Sequence, residues 1–392
     1  MQIAIRQWLP AFLVILLSPC AAQAQADDEE ANQAAFRAGM EQIVAGLNSQ
    51  RFRPFIDSIN REDMVQRIFG LRLIDQRVKR DFVDNLDYTW DDLIVAQLRP
   101  DKDEPVRATL LGVESRGDRG RAVVRFDLPK LQFNYQEYEL RLGSGGRVVI
   151  VDWSDYLNGI VFSQAVGEWL VSGVPGNPAL RKLLDFPNPT DAELFQFREL
   201  LKAARDSNLD RYLEILGELP EKYRRQHIVV ESTVSLARTA RKRREMLQGL
   251  ATMAEYYPRE PLYALMLLDH FFPHREYDAA LAALQGAYAR IGFDDAAMEA
   301  RLSATYLALA DGAAALDHAQ MALELEPDLE LAWWSALNAR ASAEDYAGSV
   351  DAIEKLDTEF GYELDPKALG RNPMYRGLLQ SSEYQAWRAS RQ

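Results

Sequence analysis

The sequence predicts an α+β N-terminal domain followed by an all-α array of helical hairpins. Apolar residues recur at helical spacing as far as about Glu104, and from Val106 the period becomes two. From Thr190 onward the period is helical again, now with small residues at fixed intervals.

The chain has 392 residues, enough for two or three domains with cores of their own. Its net charge is −14, from 59 acidic and 45 basic side chains. Such a surface argues against general nucleic-acid binding, which needs basic patches to displace counterions.

Residues 1–26 read as an export signal. Arg6 and the amino terminus precede a short apolar run, Leu9 to Leu17. Ala22-Gln23-Ala24 and Ala24-Gln25-Ala26 then offer small-x-small cleavage sites. The run is far short of the ~20 residues that span a bilayer, so no transmembrane segment is expected in the mature chain. Cys20 follows Leu17-Ser18-Pro19, but a proline before the cysteine departs from the lipobox pattern. Ordinary cleavage is therefore expected over lipidation. It would remove the only cysteine, and with it disulfide and thiolate chemistry. An exported, periplasmic location follows.

Residues 27–171 form the predicted α+β domain. Phe36, Met40, Ile43, Val44 and Leu47 share one helical face. So do Met64, Val65, Ile68, Phe69 and Leu71, then Ile74, Val78, Phe82 and Val83. Pro54 and the polar stretch Ser58 to Asp63 mark breaks, with Asn60 as a cap. Ala122, Val124, Phe126 and Leu128 alternate with Val123, Arg125 and Asp127. Tyr138, Leu140 and Leu142 alternate with Glu137, Glu139 and Arg141. Gly117 to Gly120 and Gly143 to Gly146 read as the hairpin turns between these runs. Arg147 to Tyr156 is apolar on both faces at first, as a central strand should be.

This order, ending in VVIVDWSDYLNG from Val148 to Gly159, resembles the NTF2-like (cystatin-like) superfamily over about Asp27 to Leu170. The resemblance implies a curved sheet wrapped around helices and a pocket, in a superfamily of isomerases, dehydratases and non-catalytic binding modules. Tyr138, Asp152 and Tyr156 are the pocket candidates, a carboxylate with phenolic donors as in ketosteroid-isomerase-like sites. Alternation puts Asp152 and Tyr156 on one face of their strand, where they either share a pocket or are solvated at the sheet rim.

Residues 172–189 carry four prolines and two glycines and read as a linker. Thr190 and Glu193 make a capping box that opens the array, residues 190–363. Counted from Ala296, Leu302, Ser303, Tyr306, Ala315, Ala319, Ala322 and Pro327 fall at positions 7, 8, 11, 20, 24, 27 and 32. The small residues let two helices approach closely, and a Gly-containing turn and a proline delimit them. This pattern resembles the tetratricopeptide repeat. Glu330 to Glu363 repeats the spacing, Pro261 to Asp295 is one residue longer, and His227 to Glu260 ends at Pro258. Thr190 to Gln226 is periodic but lacks most of the small residues. Residues 364–392 should cap the last repeat with Leu378, Leu379, Tyr384 and Trp387.

The chemistry-bearing motifs are sparse. His227, His270, His274 and His318 all fall in the array, so no Ser-His-Asp or Cys-His arrangement can be built in the pocket domain. His270 and His274 have metal-pair spacing, but Pro273 lies between them and the HExxH glutamate is missing, so helix-end histidines are expected. There is no Walker loop, GxGxxG or CxxC, and no cofactor is implied. The basic run Arg238, Arg241, Lys242, Arg243, Arg244 either receives an acidic peptide or is a solvated helix face, the latter being the commoner case. Trp333 is assigned to the repeat core and Trp334 to an exposed aromatic anchor.

These features lead to the expectation of a non-catalytic scaffold or adaptor. Its groove would bind a protein or peptide partner through Arg238, Arg241, Lys242, Arg244 and Trp334. The alternative is a small-molecule binding protein or histidine-free isomerase using the N-terminal pocket.

Overall fold

The computed structural model describes residues 19–70, 105–173 and 189–391, with residues 77, 79–80, 83–84, 90–91, 94–95 and 98. The apolar run Leu9 to Leu17, the residues Leu71, Ile74, Val78 and Phe82, and linker positions 174–188 lie outside these.

The first helix, α1 (Pro19–Asn48), continues through both expected cleavage sites. Phe36, Met40, Ile43, Val44 and Leu47 are buried against the sheet. Helix α2 (Arg53–Ser58) carries Pro54 in its first turn, where a missing N–H costs nothing. Helix α3 (Arg61–Phe69) is capped by Asn60, whose side chain accepts from Asp63 N. Trp90, Ile94 and Leu98 complete this core.

Five strands follow as an antiparallel meander: β1 (Arg107–Arg116), β2 (Arg119–Leu128), β3 (Gln132–Leu142), β4 (Val148–Asp155) and β5 (Ile160–Val161), in spatial order β1-β2-β3-β4-β5. Strand β4 is thus bordered by a two-residue edge rather than lying centrally. The open edge of β1 is covered by amide side chains. Asn48 exchanges hydrogen bonds with Ala108 N and O at 2.7 and 2.8 Å, and Gln50 does so with Val106 at 3.1 and 2.9 Å. Helix α4 (Phe162–Gly173) ends the domain.

Both faces of the sheet are buried. Ala122, Val124, Phe126, Tyr138, Leu140, Ile150 and Trp153 face α1 to α3, and that interior is packed with side chains. The alternate residues Val123, Phe133 and Tyr135, together with Tyr156 beyond β4, share a core with the helical array. The outer face therefore docks on the rest of the chain instead of meeting water.

The array contains five helical hairpins: α5/α6 (Asp191–Arg205, Leu209–Glu218), α8/α9 (His227–Thr239, Arg243–Tyr256), α10/α11 (Ala264–His274, Tyr277–Ile291), α12/α13 (Ala296–Ala308, Gly312–Leu325) and α14/α15 (Glu330–Ser342, Tyr346–Thr358). A single turn, α7 (Glu221–Arg224), separates the first two. Thr190 and Glu193 form the expected capping box. Ser303, Ala315, Ala319 and Ala322 are buried, and Ser303 Oγ donates to Ala315 O across the hairpin at 2.7 Å. Helices α16 (Pro366–Leu369), α17 (Arg376–Gln380) and α18 (Ser382–Ala389) then lay Leu378, Tyr384 and Trp387 over Ile353 and Leu356.

Every hairpin turns the same way. Ser207, Arg241, Arg275, Ala310 and Glu344 all have φ between 54° and 62°. The residue after each donates its N–H to the carbonyl five positions back, at 2.8–3.0 Å. This is the Schellman arrangement, and it satisfies carbonyls that the helix end would otherwise orphan. The left-handed positions are 34, 34, 35 and 34 residues apart, so the extra residue of Pro261 to Asp295 appears in the backbone itself. The turn in α12/α13 is made by Ala310; Gly312 instead opens α13.

An L-residue at such a position costs about 1–2 kcal/mol of local strain. Ala310→Gly should therefore raise the urea midpoint, by the equivalent of about 0.5–1 kcal/mol. Ala304→Gly, inside α12, should lower it by about 1 kcal/mol. Equal effects of the two changes on unfolding would show that the turn carries no strain.

Candidate functional site

The docked face of the sheet is centred on Arg125. Strand alternation turns it away from the core that Val124 and Phe126 enter, and the array closes over it until its side chain is fully buried. Its Nη1 lies 2.6 Å from Asp295 Oδ1, its Nε 2.8 Å from Asp127 Oδ1, and its Nη2 2.7 Å from Glu326 Oε2. Burial alone would weaken the charge, but Asp295, Asp127 and Glu326 together hold the guanidinium above its ordinary pKa. Asp295 has two further duties. Its Oδ2 accepts from Met298 N at 2.9 Å, capping α12, and from the Tyr135 hydroxyl at 2.5 Å. Burial first, then the Asp295 charge, push the Tyr135 phenol well above its usual range.

A second contact lies along β3. Arg290 and Arg121 converge on the buried Glu137, with Arg290 Nη2 at 2.8 Å and Arg121 Nε at 3.1 Å. Burial opposes ionisation of Glu137, yet hydrogen bonds from Arg290 and Arg121 hold its pKa below the usual carboxylate value. Arg121 also donates to Ile291 O at 2.9 Å, and the Tyr156 hydroxyl to Glu137 Oε2 at 3.1 Å. The approach is close: a Cβ on Gly112 would stand 2.2 Å from the Phe293 ring.

The tip of the β2–β3 hairpin is the unusual piece. Lys130 and Leu131 are consecutive and both left-handed, with φ of 63° and 59°. Glycine or asparagine normally fills such positions, and bulky residues there are outliers. Arg301 Nη2 holds the strained turn through Leu131 O at 2.9 Å. Strain of this kind persists only where surrounding structure fixes it, and it clusters at binding sites. Beside this tip is a cleft of about 280 Å³. The hairpin lines one side, while Ala297, Asp328 to Leu331, Phe360 and Tyr362 line the other.

The residues singled out by sequence do not gather at this place. Arg238 is half-buried and donates to Leu157 O at 3.2 Å, so it ties the two parts of the chain together. Arg241, Lys242 and Arg244 are exposed around the α8–α9 turn, the first of them serving as its left-handed residue. Trp334 is not the exposed anchor expected of it: it is half-buried, edge-on to Tyr362 at 5.1 Å, because the stretch after α15 folds back over it. Trp333 donates to Pro327 O at 2.7 Å.

Tyr138, Asp152 and Tyr156 are all buried but do not converge on a pocket. Tyr138 is in the N-terminal core against Phe55, while Tyr156 is on the docked side. Asp152 accepts from Ser163 Oγ at 2.5 Å, from Ser163 N at 3.1 Å and from Trp153 N at 2.9 Å. Burial raises its pKa despite these bonds. His270 and His274 stack on the last turn of α10, which includes Pro273. Among the described residues no group of three or more His, Cys, Asp or Glu could hold a metal ion, and no helix is long and apolar enough to cross a membrane.

Sequence patterns assign no site role to Arg125, Asp295, Lys130, Leu131 or Arg301. A charged residue between Val123 and Asp127 reads as solvated, and nothing local announces a partner 170 residues away. No protein-family model matches the chain, and no curated protein matches it either.

Arg125→Ala leaves Asp295 buried without its counter-ion, a loss of about 3–5 kcal/mol. Limited proteolysis should then separate the sheet from the array. Arg53→Ala, which removes exposed pairs with Asp57 and Asp91, should cost under about 1 kcal/mol and leave the fragments joined.

Proposed function

We propose that the chain is a non-catalytic adaptor, exported to the periplasm, that binds a protein or peptide partner through its helical array. Tetratricopeptide-like hairpins make extended binding surfaces on their concave side through small rotations between units. Here that side is already filled over α8, α10 and α12 by the chain's own sheet, which resembles an NTF2-like domain serving as a built-in occupant. The partner surface is then the cleft where this occupant stops, between the Lys130-Leu131 tip and α14 with Phe360 and Tyr362.

The observation that carries this reading is the strained tip. Two bulky left-handed residues face the cleft where an ordinary Asn-Gly turn would be more stable. The basic turn at Arg241, Lys242 and Arg244 is exposed and does not line this cleft, which favours a solvated role for it. Tyr138 and Tyr156 belong to different cores, which gives the pocket alternative less support than the adaptor reading.

Replacing Lys130-Leu131 by Asn-Gly relieves the strain and should stabilise the chain by about 1–2 kcal/mol. It should also lower recovery of crosslinked partners from the cell envelope severalfold. Arg241→Glu with Lys242→Glu should leave recovery unchanged. Undiminished recovery by the Asn-Gly variant would remove the cleft from consideration, and a metabolite co-purifying in place of any protein would end the adaptor reading.

A further inference from the structure

Away from the seam where sheet and array meet, the sheet ends in β1, whose outer side has no neighbouring strand. Helix α1 runs along that side in the opposite direction, and its side chains stand at the ladder positions. Beyond the Asn48 pair with Ala108, Gln33 Nε2 donates to Val113 O at 2.5 Å. Glu29 accepts from Ser115 Oγ and from Gly117 N, both at 3.0 Å. The lengths agree: Glu29 to Asn48 rises about 28 Å as helix, and Ala108 to Gly117 spans about 30 Å as strand. The helix takes the place of a further strand.

The two halves of this guard are held differently. From Phe36 onward, α1 is anchored in the core by Phe36, Met40, Ile43, Val44 and Leu47. From Glu29 to Ala35 no residue is buried, and the Gln33 and Glu29 hydrogen bonds are what tie those turns to β1. A segment held by a few hydrogen bonds, without buried apolar side chains, belongs to the low-stability end of a molecule.

The backbone under those turns is self-complementary. Alternation turns the N–H and C=O of Val113 and Ser115 to the outer side, where Gln33 reaches them. Two copies of the strand can therefore run antiparallel about a two-fold axis through Ser115, each Ser115 exchanging hydrogen bonds with its counterpart. In that register Glu114 of each copy stands opposite Arg116 of the other, a favourable cross-strand pair. The adjacent register, centred on Glu114, sets like charges opposite each other and is disfavoured. Within its own chain Arg116 has no counter-charge among the described residues. It faces Arg119 across the β1–β2 ladder, and Arg119 faces Arg141, which is already paired with Asp63 at 2.6 Å. Glu114 is exposed, with Arg121 at 3.4 Å.

We propose that the β1 edge from Val113 to Arg116 is a self-docking surface that takes a second copy of the chain by antiparallel strand pairing, with the first turns of α1 as its gate. Gate and incoming strand compete for the same backbone groups. The chain stays monomeric while Glu29 and Gln33 are engaged, and pairs when they release. No residue of this edge lines the cleft beside Lys130 and Leu131, so the pairing stands apart from the adaptor reading.

Sedimentation of the full chain over a range of concentrations tests this. Glu29→Ala with Gln33→Ala should tighten self-association about tenfold or more, since both copies give up their gates. In that background Arg116→Glu sets carboxylates opposite each other, and Glu114→Arg sets arginines opposite each other. Each should return the chain to monomer. Mixing these two variants should restore pairing as a heterodimer, because every cross-strand pair is then of opposite sign. If the double substitution in α1 unfolds the chain, as circular dichroism would show, Gln33→Ala alone serves as the background for the same comparison. An opened variant no more associated than the unsubstituted chain, association that Arg116→Glu leaves intact, or a mixture that stays monomeric overturns the proposal.

Discussion

One buried cation organises this molecule. Arg125 has no exposed side-chain surface, and its nearest counter-charge, Asp295, has none either. A guanidinium placed there alone would cost several kcal/mol, so the sheet can dock only where Asp295, Asp127 and Glu326 are already in position. That requirement fixes orientation more than it adds stability. Sliding β2 by one residue would turn Arg125 into the apolar core beside Phe36 and Met40. Asp295 also caps α12, so the carboxylate that receives the sheet is the one that starts the fourth hairpin. Docking and repeat register are set by the same atoms.

Much of the architecture was legible because it depends on periodicity. The change from helical spacing to alternation near Val106 places the sheet, and Ser303, Ala315 and Ala322 mark where helices approach most closely. The turns were not legible. Serine, arginine, alanine and glutamate fill the five left-handed positions, types with no preference for that conformation, so the visible Gly312 drew the turn two residues too late. Alternation also identifies two faces without saying what covers the second. Val123, Arg125 and Glu137 look like a solvated face, and the array buries all three.

The candidate residues failed for a related reason. A basic run and a tryptophan pair stand out in composition, but prominence in sequence does not report exposure. Trp334 is covered by Tyr362, which follows α15 at the close of the same repeat, and the repeat pattern does not say which way that stretch folds. Tyr138 and Tyr156 are residue types suited to a pocket, yet a sheet buried on both sides assigns them to separate cores. Lys130 and Leu131 carry no signal at all, because their significance is conformational and chemistry alone does not reveal it.

The helical array shares a core with the outer face of the sheet, so that side of the array is taken up by an intramolecular contact. Such a contact competes with any outside ligand at a high effective concentration, which excludes weak partners from that side. At the rim of the docked domain the hairpin tip meets the start of α14 and the stretch after α15 across an open cleft. The two ends of the seam are chemically unlike: at one, an arginine is matched by carboxylates, and at the other, carboxyl groups face one another.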